Sequence, residues 1–285
     1  MTQNLAIDLS TELAERFTLP PAGIPLQVIH SLVLPPDDRT FHPRHSMVRV
    51  DDDLLPVISS AHVACGLHSG DPVVMYHTVD KLVRHGVQVG AHPSYPDVFD
   101  FGQRRIEVTH DELVSVLLYQ FGALQGVLSQ FGHKVQHVKC HGALAFDVAY
   151  EDWACAALIQ AIQHFDPTMT YVAMAGSPSV TLAKSAGVHV VEEGFADRGY
   201  DRCGRIVPRN HPNALLTDAS AVVAQVVAMA SGTGLVTVDG STIDLPARSF
   251  CLHSDTPSAG KFARQLLAAL QTRGFRIKAL ADLDD

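Results

Sequence analysis

Five apolar runs in this chain stop at a titratable side chain. His68 follows the run His62–Cys65, and His92 follows Val87–Ala91. Lys139 and His141 close Gln136–Lys139, Asp197 lies just beyond Val188–Val191, and His253 with Asp255 ends Ser249–His253. In parallel α/β folds the strand ends share one face, and reactive groups collect there. A histidine at a strand end can exchange protons near neutral pH, so this set suits general acid–base work on a carbonyl. Lys139 would then steady a developing oxyanion or hold an anionic group.

A second chemistry uses the same residues. His68 and His92, with a carboxylate from Asp8, Asp71 or Asp97, suit a divalent metal such as Zn²⁺. Each residue also has a plain structural role. A lone histidine after a strand is more often a hydrogen-bonded support. Asp71 can cap the following helix, Asp97 can serve a turn, and Lys139 can be a surface lysine. The arginines 198, 202, 205 and 209 lie in an irregular segment, Gly194–Asn213, and fit either an anionic substrate or a solvated loop.

Composition narrows the classes. The chain has 285 residues, 47% of them hydrophobic, which is globular rather than disordered. A net charge of −9 with no basic stripe argues against a nucleic-acid partner. The five cysteines (65, 140, 155, 203 and 251) form no CxxC pair and read as free thiols in a reducing cytoplasm. The first residues lack a basic stretch followed by an apolar core, and no uncharged apolar run reaches membrane-spanning length. The phosphate-loop, GxGxxG and GxSxG motifs are absent, so a nucleotide would bind in another way or on another chain.

The elements that must carry these residues alternate. Leu5–Leu9 reads as a first strand, residues 18–50 as an inserted loop, and Asp51–Ser60 as a short helix. After His62–Cys65, Asp71 caps a helix with Pro72 at its first position, and Gly86 closes it. Val87–Ala91 follows. Thr109 and Glu112 form a capping-box pair that opens a helix to about Phe131. Then come strand Gln136–Lys139, helix Glu151–Phe165, strand Thr170–Ala175, helix Ser179–Ala186 and strand Val188–Val191. Thr217 starts a helix to Ala230. Leu235–Leu245 forms a hairpin around Asp239-Gly240-Ser241. Ser249–His253 is a strand, a helix runs to Arg273, and Phe275–Leu280 is a last strand. Seven or eight βα units without a linker predict one domain, 1–285, built as a parallel barrel, with a doubly wound open sheet as competitor.

Six ordered strings carry a resemblance: ACGLHSGDP (64–72), VGAHPSYPD (89–97), LLYQFGALQ (117–125), HVKCHGAL (137–144), FADRGY (195–200) and CLHSDTP (251–257). They resemble the LamB/YcsF family, the A subunits of bacterial 5-oxoprolinase, over some four fifths of the chain. The resemblance implies a distorted seven-stranded (β/α) barrel of the glycoside hydrolase/deacetylase type, in the cytoplasm. It implies partner subunits B and C, ATP shared with them, and opening of the 5-oxoproline (pyroglutamate) lactam to glutamate. Phosphorylating the amide oxygen would make it a leaving group. Asp8, Glu12, His68, His92, Lys139 and His141 become candidates for the chemistry. Arg104, Asp197, Arg198, His253 and Asp255 become candidates for holding substrate or phosphate.

The departures are specific. The family's opening D-L-N-x-D-L-G-E stands here as Asp8-Leu9-Ser10-Thr11-Glu12-Leu13-Ala14-Glu15. Ala145 and Phe146 replace Tyr-Asn, Cys140 replaces a proline, and Gln103 replaces an arginine. A stand-alone metal-dependent amidase or deacetylase on the same barrel, a paralogue acting on another lactam, and a non-catalytic binder stay open beside the 5-oxoprolinase reading. A homo-oligomer is also open.

Overall fold

The computed structural model describes residues 5–15, 54–252 and 259–283. In chain order the strands are β1 (Ala6–Leu13), β2 (Ser60–Ala64), β3 (Gln88–His92), β4 (His137–Val138), β5 (Thr170–Met174), β6 (Val190–Phe195), β7 (Leu235–Val236), β8 (Thr242–Ile243), β9 (Ser249–Cys251) and β10 (Arg276–Ile277). The helices are α1 (Pro72–Arg84), α2 (His110–Ser129), α3 (Gly142–Tyr150), α4 (Asp152–Phe165), α5 (Pro178–Ser185), α6 (Ala219–Ser231) and α7 (Ala259–Thr272).

Strands β1 to β6 pair in parallel in sequence order, and β9 pairs in parallel with both β6 and β1. That double pairing closes a seven-stranded barrel and excludes the open sheet. β1 changes partners along its length: Ala6 and Ile7 face β10, Asp8 to Ser10 face β9, and Ser10 to Leu13 face β2. The ring is therefore irregular at this seam. β7 and β8 form the expected antiparallel hairpin.

The two faces of the barrel wall differ. Outside, Leu82, Leu113, Leu117, Phe121, Leu124 and Leu158 are fully buried between strands and helices. Each such side chain contributes roughly 1.5–3 kcal/mol by leaving water. Inside, Ser10, His62, His137, Glu193 and Ser249 are all buried and belong to one hydrogen-bonded network. Gly90 lets this happen, because a Cβ there would stand 2.0 Å from the His137 ring. Helix α2 is long and apolar enough to cross a membrane by length and composition, but its apolar face packs into the shell.

Two caps match expectation. Asp71 Oδ1 accepts from the Val73 and Val74 amides at 2.9 and 3.1 Å, and Thr109 with Glu112 forms the capping box. Other elements differ. Leu54–Val57 is a turn containing Pro56, and not part of a helix, since proline removes an amide donor. β1 runs on to Leu13 and β6 to Phe195, because the interior they face is polar and an apolar-run rule stops too early. Helix α3 has no counterpart in the sequence pattern. The last strand shortens to Arg276–Ile277, followed by a 3₁₀ turn at Leu280–Asp282. The inserted loop at 18–50 lies outside the described residues.

Candidate active site

A cavity of about 380 Å³ opens at the C-terminal ends of the strands. Its polar wall holds Glu12, Glu15, Lys139, His141, Glu193 and Arg198. Its apolar wall holds Phe101, Phe146, Tyr171, Phe195 and Ile206. Apolar walls with a few convergent polar groups are the usual form of a small-molecule site.

Lys139 organises one side. Its ammonium pairs with Glu193, and with Glu12 Oε1 at 3.0 Å, and lies 4.8 Å from the centre of the Phe195 ring. Burial works against the charge, but the neighbouring Cys251, Glu193 and Glu12 together outweigh it and hold the lysine pKa well above its usual value. Burial would likewise raise Glu193, yet Lys139 and the His62 hydrogen bond bring it down to about 2. Glu193 Oε1 also accepts from Ser10 Oγ at 2.8 Å and from His62 Nε2 at 3.1 Å. The carboxylate takes the hydrogen of His62 Nε2, so His62 Nδ1 accepts from His137 Nε2 at 3.0 Å. Burial lowers His62 to about 4 and His137 well below its usual value, keeping both rings neutral.

Three histidines and Glu15 make up the other side. Their donor atoms all lie within 4.8 Å of one another. His68 and His141 stack 4.0 Å apart and nearly parallel. Phe101 meets both rings edge-on, at a backbone φ of 52° that non-glycine residues rarely adopt. Burial pushes His68 well below its ordinary pKa and His141 down to about 4. Gly102 packs under this cluster, where a Cβ would stand 2.9 Å from the His141 ring.

The sequence candidates therefore separate. Glu12, Lys139, His141 and Arg198 line the cavity, and His68 and His92 are buried in contact with its wall. Asp8 is one layer deeper in the barrel and does not line the cavity. It accepts from Ser59 and Ser249, each at 2.7 Å, and burial pushes it up to about 6. Arg104 is turned to Asp97 at 2.9 Å, outside the cavity lining. Asp197 is buried, and its carbonyl accepts from Leu216. Arg198 donates to the carbonyls of Val207 and Ala214, so it braces the irregular segment as well as lining the cavity. His253 and Asp255 lie outside the described residues. Of the three carboxylates that the sequence offers a metal, Asp71 caps α1, Asp97 binds Arg104, and Asp8 sits below; the carboxylates beside the histidines are Glu15 and Glu12.

Glu193, Glu15, His62 and His137 do not stand out as site residues in the sequence. Period-two alternation through Val191, Glu193 and Phe195 is the available signal for Glu193. Glu15 closes the opening motif already quoted.

Residues 42–285 match the model of the LamB/YcsF family. The chain belongs to the LamB/YcsF family. Curated relatives include a 5-oxoprolinase A subunit from Acinetobacter baumannii (strain AB307-0294), 42% identical over 228 residues, 80% of this chain and 90% of that one. Another of the same name, from Bordetella parapertussis, is 40% identical over 230 residues, 80% of this chain and 91% of that one. Among solved structures, the lactam utilization protein of Thermus thermophilus superposes with a TM-score of 0.80 at 30% identity, covering 97% of this chain and all of that one. In this family member the glycine position of the opening motif is Ala14, with a φ of 62°.

Proposed function

We propose that this chain is the A subunit of a cytoplasmic, ATP-dependent 5-oxoprolinase that works with two further subunits, B and C. The relatives' names and the shared fold support the class. The carrying observation is the Lys139 ammonium, fixed between Glu193 and Glu12 on the wall of a cavity sized for a small ring. In the overall change, water's oxygen joins the lactam carbonyl carbon, the C–N bond breaks and the nitrogen takes a proton. ATP and a second water become ADP and phosphate. Lys139 faces the carbonyl oxygen as negative charge grows on it. Glu12, 3.0 Å from Lys139 and 3.6 Å from His92 Nε2, is placed to take a proton from water. The ATP site falls to the partner subunits, consistent with the missing phosphate loop.

The test is pyroglutamate-dependent ADP release by the assembled three-subunit complex. Lys139→Ala lowers kcat by about 100-fold or more, the scale of a lost oxyanion donor. An unchanged rate in a complex that still assembles removes the assignment. The His/Glu15 cluster favours a second reading, an amidase or deacetylase that needs no partner. It predicts amide hydrolysis by the chain alone without ATP.

A further inference from the structure

The tautomers of the three clustered histidines are set by what their outer nitrogens touch. His68 Nδ1 lies 2.8 Å from Ser94 Oγ, whose own proton goes to the Tyr95 carbonyl at 2.7 Å. Ser94 must therefore accept, and His68 Nδ1 carries the hydrogen. His92 Nδ1 donates to the Lys139 carbonyl at 2.8 Å, and His141 Nε2 donates to the Phe101 carbonyl at 2.8 Å. A neutral imidazole has one hydrogen, so each inner nitrogen presents a bare lone pair.

Those lone pairs converge. His92 Nε2 and His141 Nδ1 stand 3.0 Å apart with no hydrogen left for the space between them. His68 Nε2 is buried and has no hydrogen-bond partner among the described residues. Glu15 Oε1 lies 3.9 Å from His68 Nε2, 3.9 Å from His92 Nε2 and 3.5 Å from His141 Nδ1. Three lone pairs and a carboxylate facing one point repel each other unless a cation sits there. We infer that Glu15, His68, His92 and His141 form a binding site for one divalent transition-metal ion of the zinc class. Metal–nitrogen bonds of about 2.0–2.1 Å put tetrahedral donor atoms roughly 3.3 Å apart. The observed spacings, from 3.0 Å between His92 Nε2 and His141 Nδ1 up to at most 4.8 Å, bracket that value, so the wider pairs draw in and the His92–His141 pair opens slightly around an ion. The outer contacts to Ser94, Lys139 and Phe101 are the hydrogen bonds that orient metal-bound imidazoles. His141 and Glu15 also line the cavity, so the ion would be reachable by a carbonyl oxygen or a water.

Metal binding is measurable on the isolated chain, without turnover. Untagged full-length protein is purified without chelator, analysed for metals, then stripped and titrated with Co²⁺ alone. The expected result is one ion per chain and the visible absorption of four-coordinate cobalt. His141→Ala and Glu15→Gln abolish that spectrum. Ser94→Ala, outside the donor set, keeps one site but weakens it about 10- to 100-fold, which serves if a ligand variant fails to fold. A folded wild-type chain that takes up neither Zn²⁺ nor Co²⁺ overturns the site. So does cobalt binding that both ligand variants leave unchanged, or an imidazolium signal placing a proton between His92 and His141. Loss of pyroglutamate turnover alone would bear only on the proposed function.

Discussion

Two polar clusters share one rim and are buried to a similar degree, yet they are completed differently. Around Lys139, one ammonium meets two carboxylates, and Ser10 and His62 satisfy Glu193 further. That cluster is closed by the chain's own charges. Around His92, three rings turn their inner nitrogens toward one another and toward Glu15. That cluster turns its donor atoms toward one point, the place inferred for the metal ion. β1 feeds both, through Glu12 on one side and Glu15, three residues on, on the other. A buried polar group must be partnered, but the partner need not be a side chain.

The sharpest way to break this contrast is Lys139→Met. It leaves Glu12 and Glu193 buried without their cation, a loss of about 3–5 kcal/mol. Urea unfolding of the double variant Lys139→Met/Glu193→Gln should recover much of that loss, because the coupling is between the two charges. If the single variant costs no more than an ordinary surface change, the lysine cluster is not charge-closed.

The histidine side predicts the opposite dependence. Zn²⁺ held at 100 times its dissociation constant should stabilise the wild-type chain by about 2.7 kcal/mol, and a chelator should reverse it. His141→Ala should show no zinc-dependent gain, while Lys139→Met should keep it. Equal responses in all three proteins would merge the two clusters into one.

Asp8 tests where the compensation by Lys139 ends. Two carboxylates take the lysine, and this third one, deeper in the barrel, is raised to about 6 by burial, with Glu193 adding to the rise. Its folded pKa exceeds the unfolded value of 3.8, so its contribution is fully present below about pH 3.8 and lost as pH rises through 6. Asp8→Asn removes that loss. Relative to wild type, the variant should therefore gain on the order of 2 kcal/mol between pH 4 and 8. Thermal midpoints across that range, read as a difference, cancel any pH-independent cost of the amide. A flat difference would mean Asp8 stays ionised in the fold.

Much of this architecture is legible in the sequence because helix caps are local. Asp71 and the Thr109/Glu112 pair announce their helices within four residues. The rim is legible because apolar runs end there. The barrel's inner face is not. A strand that points serine, glutamate and histidine inward does not look apolar, so β1 seems to end at Leu9 and β6 at Val191, and Glu193 is lost with the missing residues. Carboxylate partners are misassigned for a related reason. Asp71 and Asp97 are near the histidines in sequence, whereas Glu12 and Glu15 reach them only through the long-range β1–β2 and β2–β3 pairings.

The smallest effect concerns how Glu15 reaches the histidines. The chain turns at Ala14 with φ at 62°, in the left-handed region. A residue with a Cβ loses roughly 1–2 kcal/mol there, and glycine does not. Glycine also loses more freedom on folding, so Ala14→Gly should gain about 1 kcal/mol net. Ala14→Val should lose stability instead, since a branched Cβ is worse placed at positive φ. If the turn alone aims Glu15, neither change alters the fourfold donor set, and cobalt stoichiometry stays at one while unfolding midpoints move in opposite directions. Should Ala14→Gly destabilise the chain, the left-handed turn at Ala14 is not a strain that glycine relieves.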